Sequence, residues 1–425
     1  MNTLTARSTD VVIVGAGPTG LFLASELAAQ GVAVTVIERS VEPDRLPRAN
    51  GIVGDAVRLL DERGIYHELA GHDRSLRGTL QRLGTGNLGR HPRPARSFSY
   101  AGLRLPLHRV RDANPVFVLP VPQRTLELIL ERRAVEHGVA VRRGCELRSF
   151  AQADSGVTAE VTTPAGVEQY SAAYLVGCDG AHSMVRKSAG IDLPGVTLDG
   201  AVARIAHMTI PRGELTPFGA LHRPDGPALK PFHPHRLARG VFTFGSFGSG
   251  LTTVSTLEWG ATAPDDDVPL TIDEMRESVG RVVGRPVDLR PPHGPGPHQL
   301  RRTGGRNARV AATFRAGRVL LAGDAAHLFT GYGAPSLNAG LLDAADLAHR
   351  LGAAVQSVVG DELLDAYDTV RRDQALRTVE HSAAQERLLA PGDEATARRE
   401  EFAARLADRK FLAALADELA GRATG

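Results

Sequence analysis

The feature that most constrains this chain is a glycine-rich turn between a short apolar run and a helix-forming segment. Gly15, Gly17 and Gly20 form a G-x-G-x-x-G pattern directly after the run VVIV at residues 11–14. A β-branched run of this kind is typical of a strand buried on both faces. In such a turn, glycines permit a tight bend, close approach of a phosphate to the backbone, and close helix–strand packing. The pattern therefore predicts a Rossmann-type unit whose helix N-terminus, including Thr19, binds phosphate.

A carboxylate follows at the end of the second predicted strand, since Glu38 comes directly after the strand-forming, mostly β-branched residues 32–37. A carboxylate at this point can accept hydrogen bonds from ribose hydroxyls, and such bonds are worth about 1.5–3 kcal/mol. It also repels a 2′-phosphate. The pattern therefore favours FAD or NAD over NADP as the bound dinucleotide.

Length and composition narrow the class of protein. A chain of 425 residues suits two or three domains, and a formal net charge of +2 gives no reason to expect nucleic acid or an anionic membrane as partner. Two cysteines cannot build a disulfide framework or a metal site. The N-terminus lacks a signal-peptide pattern, and no apolar run reaches membrane-spanning length. We therefore expect a cytoplasmic protein without a metal site.

The apolar pattern predicts alternating helices and strands in the outer parts of the chain, and mostly strands in the middle. Strands are expected at residues 157–161, 170–176, 201–210, 241–247, 251–259 and 319–323, and helices at 21–30, 52–70, 121–137, 337–356, 361–388 and 393–421. Between residues 195 and 300, the strands alternate with Gly/Pro-rich loops, which favours an antiparallel sheet in a second domain. The predicted fold is thus α/β, a Rossmann-type domain with an inserted mixed or antiparallel β-sheet domain and C-terminal helices.

Two further motifs accompany the glycine-rich turn. Residues 174–186 have the sequence YLVGCDGAHSMVR, and residues 318–327 have the sequence RVLLAGDAAH. These resemble the Asp-Gly and Gly-Asp fingerprints of flavoprotein monooxygenases, and all three motifs occur in that family's order and approximate spacing. Over about residues 10–385, the chain resembles class A flavin monooxygenases such as p-hydroxybenzoate hydroxylase and the aromatic polyketide hydroxylases.

The resemblance implies a non-covalently bound FAD and either NADPH or NADH as co-substrate. It implies that the reduced flavin reacts with O2 and that a flavin hydroperoxide hydroxylates a small aromatic or polyketide-like molecule, in bacterial secondary metabolism such as antibiotic biosynthesis. We accordingly assign residues 1–76, 111–194 and 301–360 to a discontinuous FAD-binding domain, 77–110 and 195–300 to a substrate-binding β-sheet domain, and 361–425 to a C-terminal helical region. The sequence identifies neither the substrate nor a catalytic residue, and a monomer and a homodimer both remain open.

Cofactor contacts are expected throughout the FAD-binding domain. The resemblance implies that FAD is bound by Gly15, Gly17, Thr19, Gly20, Glu38, Arg39, Arg48, Gln123, Leu147, Asp179, Asp324, Leu337 and Asn338. Arg39 and the backbone of Leu147 are expected beside the adenine, and Asp324 at the ribityl hydroxyls. Gln123 begins the helix that contacts the phosphates and the ribityl chain.

Two of these assignments, and the role of one further residue, have structural alternatives. Asp179 could instead cap the helix that begins near Ser183, and Arg48, expected near the flavin, could be a surface loop residue. His327 follows the Gly-Asp motif, where a packed, hydrogen-bonded histidine is more common than a catalytic one.

The sequence departs from its family in one loop. After the Gly-Asp motif, relatives carry a proline and a Gly-Gly-x-Gly-x-Asn loop, whereas residues 331–338 here have the sequence GYGAPSLN. Pro335 offers no N–H group, although proline suits the first turn of a helix. Either Leu337, Asn338 and the helix dipole still serve the flavin, or its reduction and oxygen transfer are altered.

Other functions on the same scaffold stay open. Baeyer–Villiger insertion, epoxidation, and oxidase or dehydrogenase chemistry are the nearest alternatives, and a non-catalytic FAD-binding assembly partner is a further one. A flavin halogenase is disfavoured because Trp259 is the only tryptophan.

Overall fold

A computed structural model of the chain describes residues 5–44, 51–72, 91–246, 251–261, 264, 268–294, 296–331, 335–356 and 362–422. The helices in these residues are α1 Pro18–Ala28, α2 Asp55–Glu62, α3 Ile65–His72, α4 Gln123–Glu136, α5 Met184–Ser188, α6 Ile272–Val283, α7 Pro335–Val355, α8 Glu362–Leu389, α9 Asp393–Arg405 and α10 Arg409–Ala420. None of them combines the length and the apolar character needed to cross a lipid bilayer.

The strands have two to eight residues. They are β1 Thr5–Ser8, β2 Val11–Val14, β3 Val34–Glu38, β4 Ile52–Val53, β5 Phe98–Tyr100, β6 Leu103–Leu105, β7 Val118–Leu119, β8 Ala140–Arg143, β9 Glu146–Ala153, β10 Gly156–Thr163, β11 Gly166–Ala172, β12 Tyr174–Gly177, β13 Gly195–Leu198, β14 Ala201–Met208, β15 His235–Leu237, β16 Gly240–Ser246, β17 Thr252–Trp259, β18 Leu300–Thr303, β19 Arg306–Val310, β20 Arg315–Ala316, β21 Val319–Leu321 and β22 His327–Leu328. The predicted α/β fold is confirmed.

The chain divides into two compact units, each built from separate segments. The first unit comprises residues 1–45, 123–196 and 308–380, and the second comprises residues 46–122, 197–307 and 381–425.

These bounds differ from the predicted domains in several segments. Residues 301–307, expected in the FAD-binding domain, and residues 381–425, expected in a separate C-terminal region, belong to the second unit. Residues 46–76 and 111–122, expected in the first domain, belong to the second unit, where β4 pairs with β7. Residues 361–380, expected in a separate C-terminal region, belong to the first unit, where the Tyr367 hydroxyl donates to the Leu321 carbonyl at 2.7 Å. Contacts between segments that are far apart in sequence set the bounds of the two units. A local sequence pattern does not reveal such contacts.

A six-stranded sheet forms the centre of the first unit. Its order is β20-β21-β12-β2-β3-β8, and all neighbours are parallel except β20 and β21. All four residues of β2 are buried, as the β-branched run predicts. Helix α1 packs against α4 and α7, and most of its side chains are buried. A parallel sheet covered by helices is the expected outcome of this alternation.

A second, mostly antiparallel sheet of the first unit has the order β1-β11-β10-β9. The strand predicted at residues 170–176 is divided, because β11 ends at Ala172 in this sheet and β12 begins at Tyr174 in the six-stranded sheet. One apolar run thus serves two sheets.

The second unit contains a five-stranded sheet of order β15-β16-β17-β14-β18, with all neighbouring strands antiparallel. Its core contains Met208, Phe242, Phe244 and Val254 from the sheet, packed with Met275 and other residues of α6. The expected antiparallel sheet between residues 195 and 300 is therefore present.

Two predicted helices are interrupted. The segment 393–421 forms α9 and α10, separated where the Asp408 side chain accepts a hydrogen bond from the Lys410 N–H at 2.8 Å and begins α10. The segment 52–70 begins as strand β4 and continues as α2 and α3. Gly54 separates β4 from α2, and a Cβ there would overlap the backbone of Ala420. Close packing of the Gly54 backbone on Ala420 explains why β4 ends before α2 better than the helix propensity of the segment does.

Candidate active site

The glycine turn after β2 leaves no room for side chains on its inner side. Gly15 has φ of +108°, and a Cβ there would overlap the carbonyl oxygen of Cys178, next to the end of β12. A Cβ on Gly20 would overlap the carbonyl oxygen of Gly15. At Gly17, by contrast, a Cβ would meet nothing within 4 Å. The turn is therefore closely packed against the protein backbone at Gly15 and Gly20, and it is open at Gly17.

Helix α1 begins at this open position. Gly17 is its N-cap residue and Pro18 its first residue, and no side chain caps the helix. The N–H groups at the start of an uncapped helix are unsatisfied donors at the positive end of the helix dipole. They suit the pyrophosphate of a dinucleotide.

Glu38 is held against this turn by two backbone groups. Its Oε2 accepts a hydrogen bond from the Ala16 N–H at 2.8 Å, and its Oε1 accepts one from the Ser40 N–H at 2.8 Å. Each carboxylate oxygen can accept a further hydrogen bond. The geometry therefore orients a carboxylate that remains able to bind ribose hydroxyls.

The two residues expected beside the adenine lie on neighbouring segments. Arg39 is exposed and follows Glu38 directly. The Cys145 N–H donates to the Glu38 carbonyl at 2.9 Å, and this contact lies just before β9, where Leu147 pairs with Val161. The Leu147 side chain is buried, which leaves its backbone as the part that can approach a ligand.

Asp179 caps α5, as its alternative interpretation predicted. Its Oδ2 accepts hydrogen bonds from the Met184 and Val185 N–H groups at 2.7 and 3.1 Å. Its Oδ1 is buried and has no hydrogen-bond partner. A buried acceptor without a partner is rare in folded proteins and commonly marks a missing ligand or water. Asp179 thus has one structural oxygen and one oxygen free to serve a ligand.

The Gly-Asp turn lies against the first turn of α1. Gly323 has φ of +65°, and a Cβ there would lie 2.8 Å from the Thr19 hydroxyl oxygen. A Cβ on Gly340, in α7, would overlap the same hydroxyl. Asp324 is exposed, whereas its neighbours Gly323 and Ala325 are buried. The turn therefore presents the Asp324 side chain on the outside of a closely packed junction.

Four predicted site residues follow four neighbouring parallel strands. Gly15 follows β2, Glu38 ends β3, Asp179 comes shortly after β12, and Asp324 shortly after β21. Carboxyl ends of parallel strands meet at one edge of a sheet, where ligands bind in open α/β folds. The sheet thus brings three motifs that are far apart in sequence to a single edge.

A buried charge network lies behind the Gly-Asp turn. Asp343 Oδ2 is 2.6 Å from His327 Nε2 and accepts from the Gly323 N–H at 3.1 Å, and its Oδ1 accepts from Arg371 Nε at 2.8 Å. Burial by itself raises the pKa of Asp343, but the facing His327 and Arg371 outweigh this effect and lower the pKa to about 2. His327 is fully buried, which supports the packed, hydrogen-bonded interpretation of this residue.

Asp343 and Arg371 are site residues that the sequence motifs do not reveal. A signal for Asp343 was present, since this carboxylate lies on the stripe of α7 that also buries Gly340, Ala344 and Leu347. A carboxylate in an apolar stripe is rarely buried without a partner. Its partner could not be identified, because Arg371 is one of many arginines.

The remaining predicted residues lie apart from these contacts or outside the described residues. Gln123 begins α4 and donates to Glu127 Oε1 at 2.7 Å. Leu337 and Asn338 are half-buried in the first turn of α7, which begins at Pro335. Arg48 lies outside the described residues.

The second unit contains a cavity of its own. It has a volume of about 660 Å³ and is lined by Thr216, Phe218, Ala220, Pro227, Ala228, Lys230, Pro231 and Phe232. Phe232 has φ of +60°, and its N–H donates to the Phe244 carbonyl at 2.7 Å. A Cβ on Gly245 would overlap the Phe232 ring. The glycine and the strained backbone together fix an aromatic ring in the wall of the cavity.

Two histidines follow this wall. The rings of His233 and His235 are 5.0 Å apart, and His235 Nε2 is 2.9 Å from the Lys230 carbonyl oxygen. Burial, and then the nearby His235, lower the pKa of His233 to about 4. His233 is therefore a neutral group at physiological pH.

Comparison with known proteins agrees with this geometry. A family model described as FAD binding domain matches residues 8–382. The chain is 34% identical over 389 residues to a 12-dehydrotetracycline 5-monooxygenase/anhydrotetracycline 6-monooxygenase of Streptomyces rimosus, covering 90% of this chain and 70% of the relative. It is 32% identical over 387 residues to a dialkyldecalin synthase of Streptomyces rugosporus, covering 90% and 73%. The solved structure of OxyS anhydrotetracycline hydroxylase from Streptomyces rimosus matches with a TM-score of 0.78 at 31% identity, over 97% of this chain and 76% of that one.

Proposed function

Because the chain belongs to the FAD-binding-domain family of class A flavin-dependent monooxygenases, we propose that it hydroxylates an aromatic or polyketide-like small molecule. FAD is its cofactor, O2 supplies the oxygen atom, and NADPH or NADH is the co-substrate. The observation that carries the proposal is the convergence of Gly15, Glu38, Asp179 and Asp324 at one edge of the parallel sheet.

The residues at this edge divide the binding of FAD among them. The N-terminus of α1 would bind the pyrophosphate, and Glu38 would accept from the ribose hydroxyls. Asp324 would accept from the ribityl hydroxyls, and the unpaired Oδ1 of Asp179 would accept from a donor of the cofactor or of the co-substrate. Once bound, FAD supplies the redox chemistry and the reaction with O2.

The cavity of the second unit supports an aromatic substrate. Its walls are mostly apolar, with two phenylalanines and one cation, Lys230. Small-molecule sites of this type have volumes of about 300–1,000 Å³ and few polar groups. This lining favours a ligand with an apolar, aromatic body. The proposed enzyme is cytoplasmic and acts as a monomer or a homodimer.

The first test concerns the cofactor. The purified protein should be yellow, and denaturation should release FAD, because the proposed contacts are all non-covalent. A colourless protein that takes up no FAD on titration would overturn the cofactor assignment.

The second test concerns oxygen transfer, which must be measured because one relative is named a synthase and not a monooxygenase. The holoprotein, NADPH and ¹⁸O2 are incubated with candidate polyketide intermediates, and the products are analysed by mass spectrometry. One ¹⁸O atom in a new hydroxyl group is expected. An ¹⁸O atom in a lactone or an epoxide would indicate the Baeyer–Villiger or the epoxidation alternative. Substrate oxidation without ¹⁸O would indicate oxidase or dehydrogenase chemistry.

A further inference from the structure

We propose that Asp343, His327 and Arg371 are positioning residues for the cofactor, because they hold the turn that carries Asp324. The inference rests on the proposed function, in which Asp324 binds the ribityl chain of FAD. We refer to these three residues as the clamp.

The clamp holds the turn at both of its ends. One oxygen of Asp343, Oδ2, accepts from the Gly323 N–H at 3.1 Å and lies 2.6 Å from His327 Nε2. Gly323 precedes Asp324 by one residue, and His327 follows it by three. Within the turn, the Ala326 N–H donates to the Gly323 carbonyl at 2.8 Å. Oδ2 of Asp343 therefore holds both ends of the short turn, from Gly323 to His327. The Asp324 side chain points outward from this turn.

The histidine ring has a fixed orientation. The ring of Phe329 stacks on it at a centroid distance of 4.7 Å, and the ring of Phe314 lies at 6.0 Å. Its Nδ1 is buried without a hydrogen-bond partner. A proton on Nδ1 would leave an unsatisfied buried donor, so the hydrogen bond to Asp343 requires the proton on Nε2. The ring thus donates from Nε2 to Asp343.

Arg371, the third residue of the clamp, balances the negative charge of Asp343. Arg371 Nε donates to Asp343 Oδ1 at 2.8 Å, and the side chain of Arg371 is 11% exposed, against 1% for Asp343. Arg371 therefore neutralises the carboxylate from the outer side. A buried pair of this type contributes little net stability, and its best-supported use is to select one conformation. The conformation selected here is that of the Gly-Asp turn.

The experiment compares FAD affinity with the stability of the apoprotein. Apoprotein is prepared for each variant, its thermal unfolding midpoint is recorded, and the dissociation constant for FAD is measured by titration. Asp343→Asn and His327→Leu should each weaken FAD binding by about tenfold. His327→Gln should stay within about threefold of the wild type, because its amide can place an N–H donor near the position of Nε2. Arg371→Gln, at the partly exposed edge of the clamp, is the variant most certain to fold and should weaken binding by about threefold.

A matched control comes from the second unit. Arg306 and Glu386 form a bidentate buried pair, with distances of 3.0 and 2.8 Å. Glu386→Gln removes a similarly buried carboxylate and should lower the unfolding midpoint without changing the affinity for FAD. Clamp variants that lose stability as this control does, with unchanged FAD affinity, would show that the clamp is only structural. Failure of His327→Gln to restore the affinity lost in His327→Leu would also overturn the inference.

Asp324→Ala separates this inference from the proposed function. If Asp324→Ala binds FAD as the wild type does, the proposed site itself is wrong. If Asp324→Ala weakens binding and the clamp variants do not, the site stands and the clamp inference alone fails.

Discussion

Two turns at the same sheet edge are held in place by different contacts. The turn after β2 is shaped by the absence of side chains, since Gly15 and Gly20 lie against backbone carbonyl groups. The turn after β21 is shaped by buried side chains, since Asp343, His327 and Arg371 hold it from behind. An added methyl group cannot fit against a backbone carbonyl, whereas a substitution in the charge network removes one contact and leaves the others. A single added methyl group should therefore disrupt the first turn, whereas single substitutions in the clamp should weaken the second turn only in part.

The sharpest test of this comparison is a pair of alanine substitutions in the first turn. Gly15→Ala places a methyl group on a backbone oxygen at a positive φ, which should cost about 3 kcal/mol or more in the free energy of unfolding. Gly17→Ala meets no protein atom within 4 Å and should leave the apoprotein's stability unchanged. It should weaken FAD binding about tenfold or more, because the methyl group blocks a phosphate. Thermal unfolding and FAD titration measure both effects, and equal stability of the two variants would contradict the steric account.

A second pair compares the two aspartates. Asp324→Ala should weaken FAD binding by about 1.5–3 kcal/mol, or roughly 10- to 100-fold. Asp179→Ala should weaken it less, but should lower the free energy of unfolding by about 0.5–1.5 kcal/mol, because the Met184 and Val185 N–H groups lose their acceptor. FAD titration and denaturant unfolding of the two apoproteins check the prediction. Equal losses of affinity would mean that the Gly-Asp turn does not face the ribityl chain.

Acid should weaken the second turn. The pKa of Asp343 is lowered to about 2 in the folded state, from the ordinary value of 3.8. Its contribution to stability is therefore present above pH 4 and is lost as the pH falls towards 2. The linkage amounts to about 2 kcal/mol. Unfolding free energies measured between pH 5 and pH 2 should fall more steeply in the wild type than in Asp343→Asn, and identical slopes would argue against an ionised Asp343.

The smallest effect is expected in the altered loop. Helix α7 begins at Pro335, so its N-terminus keeps its dipole without the proline's N–H. The double variant Pro335→Gln with Ser336→Gly should therefore reduce its flavin with NADPH within about twofold of the wild-type rate, as measured by rapid mixing. A tenfold change would show that the family loop has a role that the helix does not replace.

The part of the site that could be predicted is local in sequence. The turn at Gly15 is encoded by residues 11–20, and Glu38 follows the next strand, so one window contains the whole pattern. The clamp joins His327, Asp343 and Arg371 across two helices and a turn, and no window contains it. The same reasoning applies to the fold. The strands β2, β3 and β12 follow from apolar runs, whereas the break at Gly54 and the pairing of β4 with β7 depend on tertiary contacts.

The convergence of four strands at one edge also determines when, during synthesis of the chain, the proposed FAD site can form. The segment with Gly15 leaves the ribosome long before the segment with Asp324, with a delay on the order of 15–60 s at roughly 5–20 residues per second. Until β21 and α7 have been made, the proposed site lacks its ribityl side. A nascent chain ending before Arg318 should thus retain no flavin, however well its first strands have paired. The proposed site can therefore bind its vitamin-derived cofactor only late in synthesis. Yellow colour in a nascent chain should indicate that translation has reached at least α7.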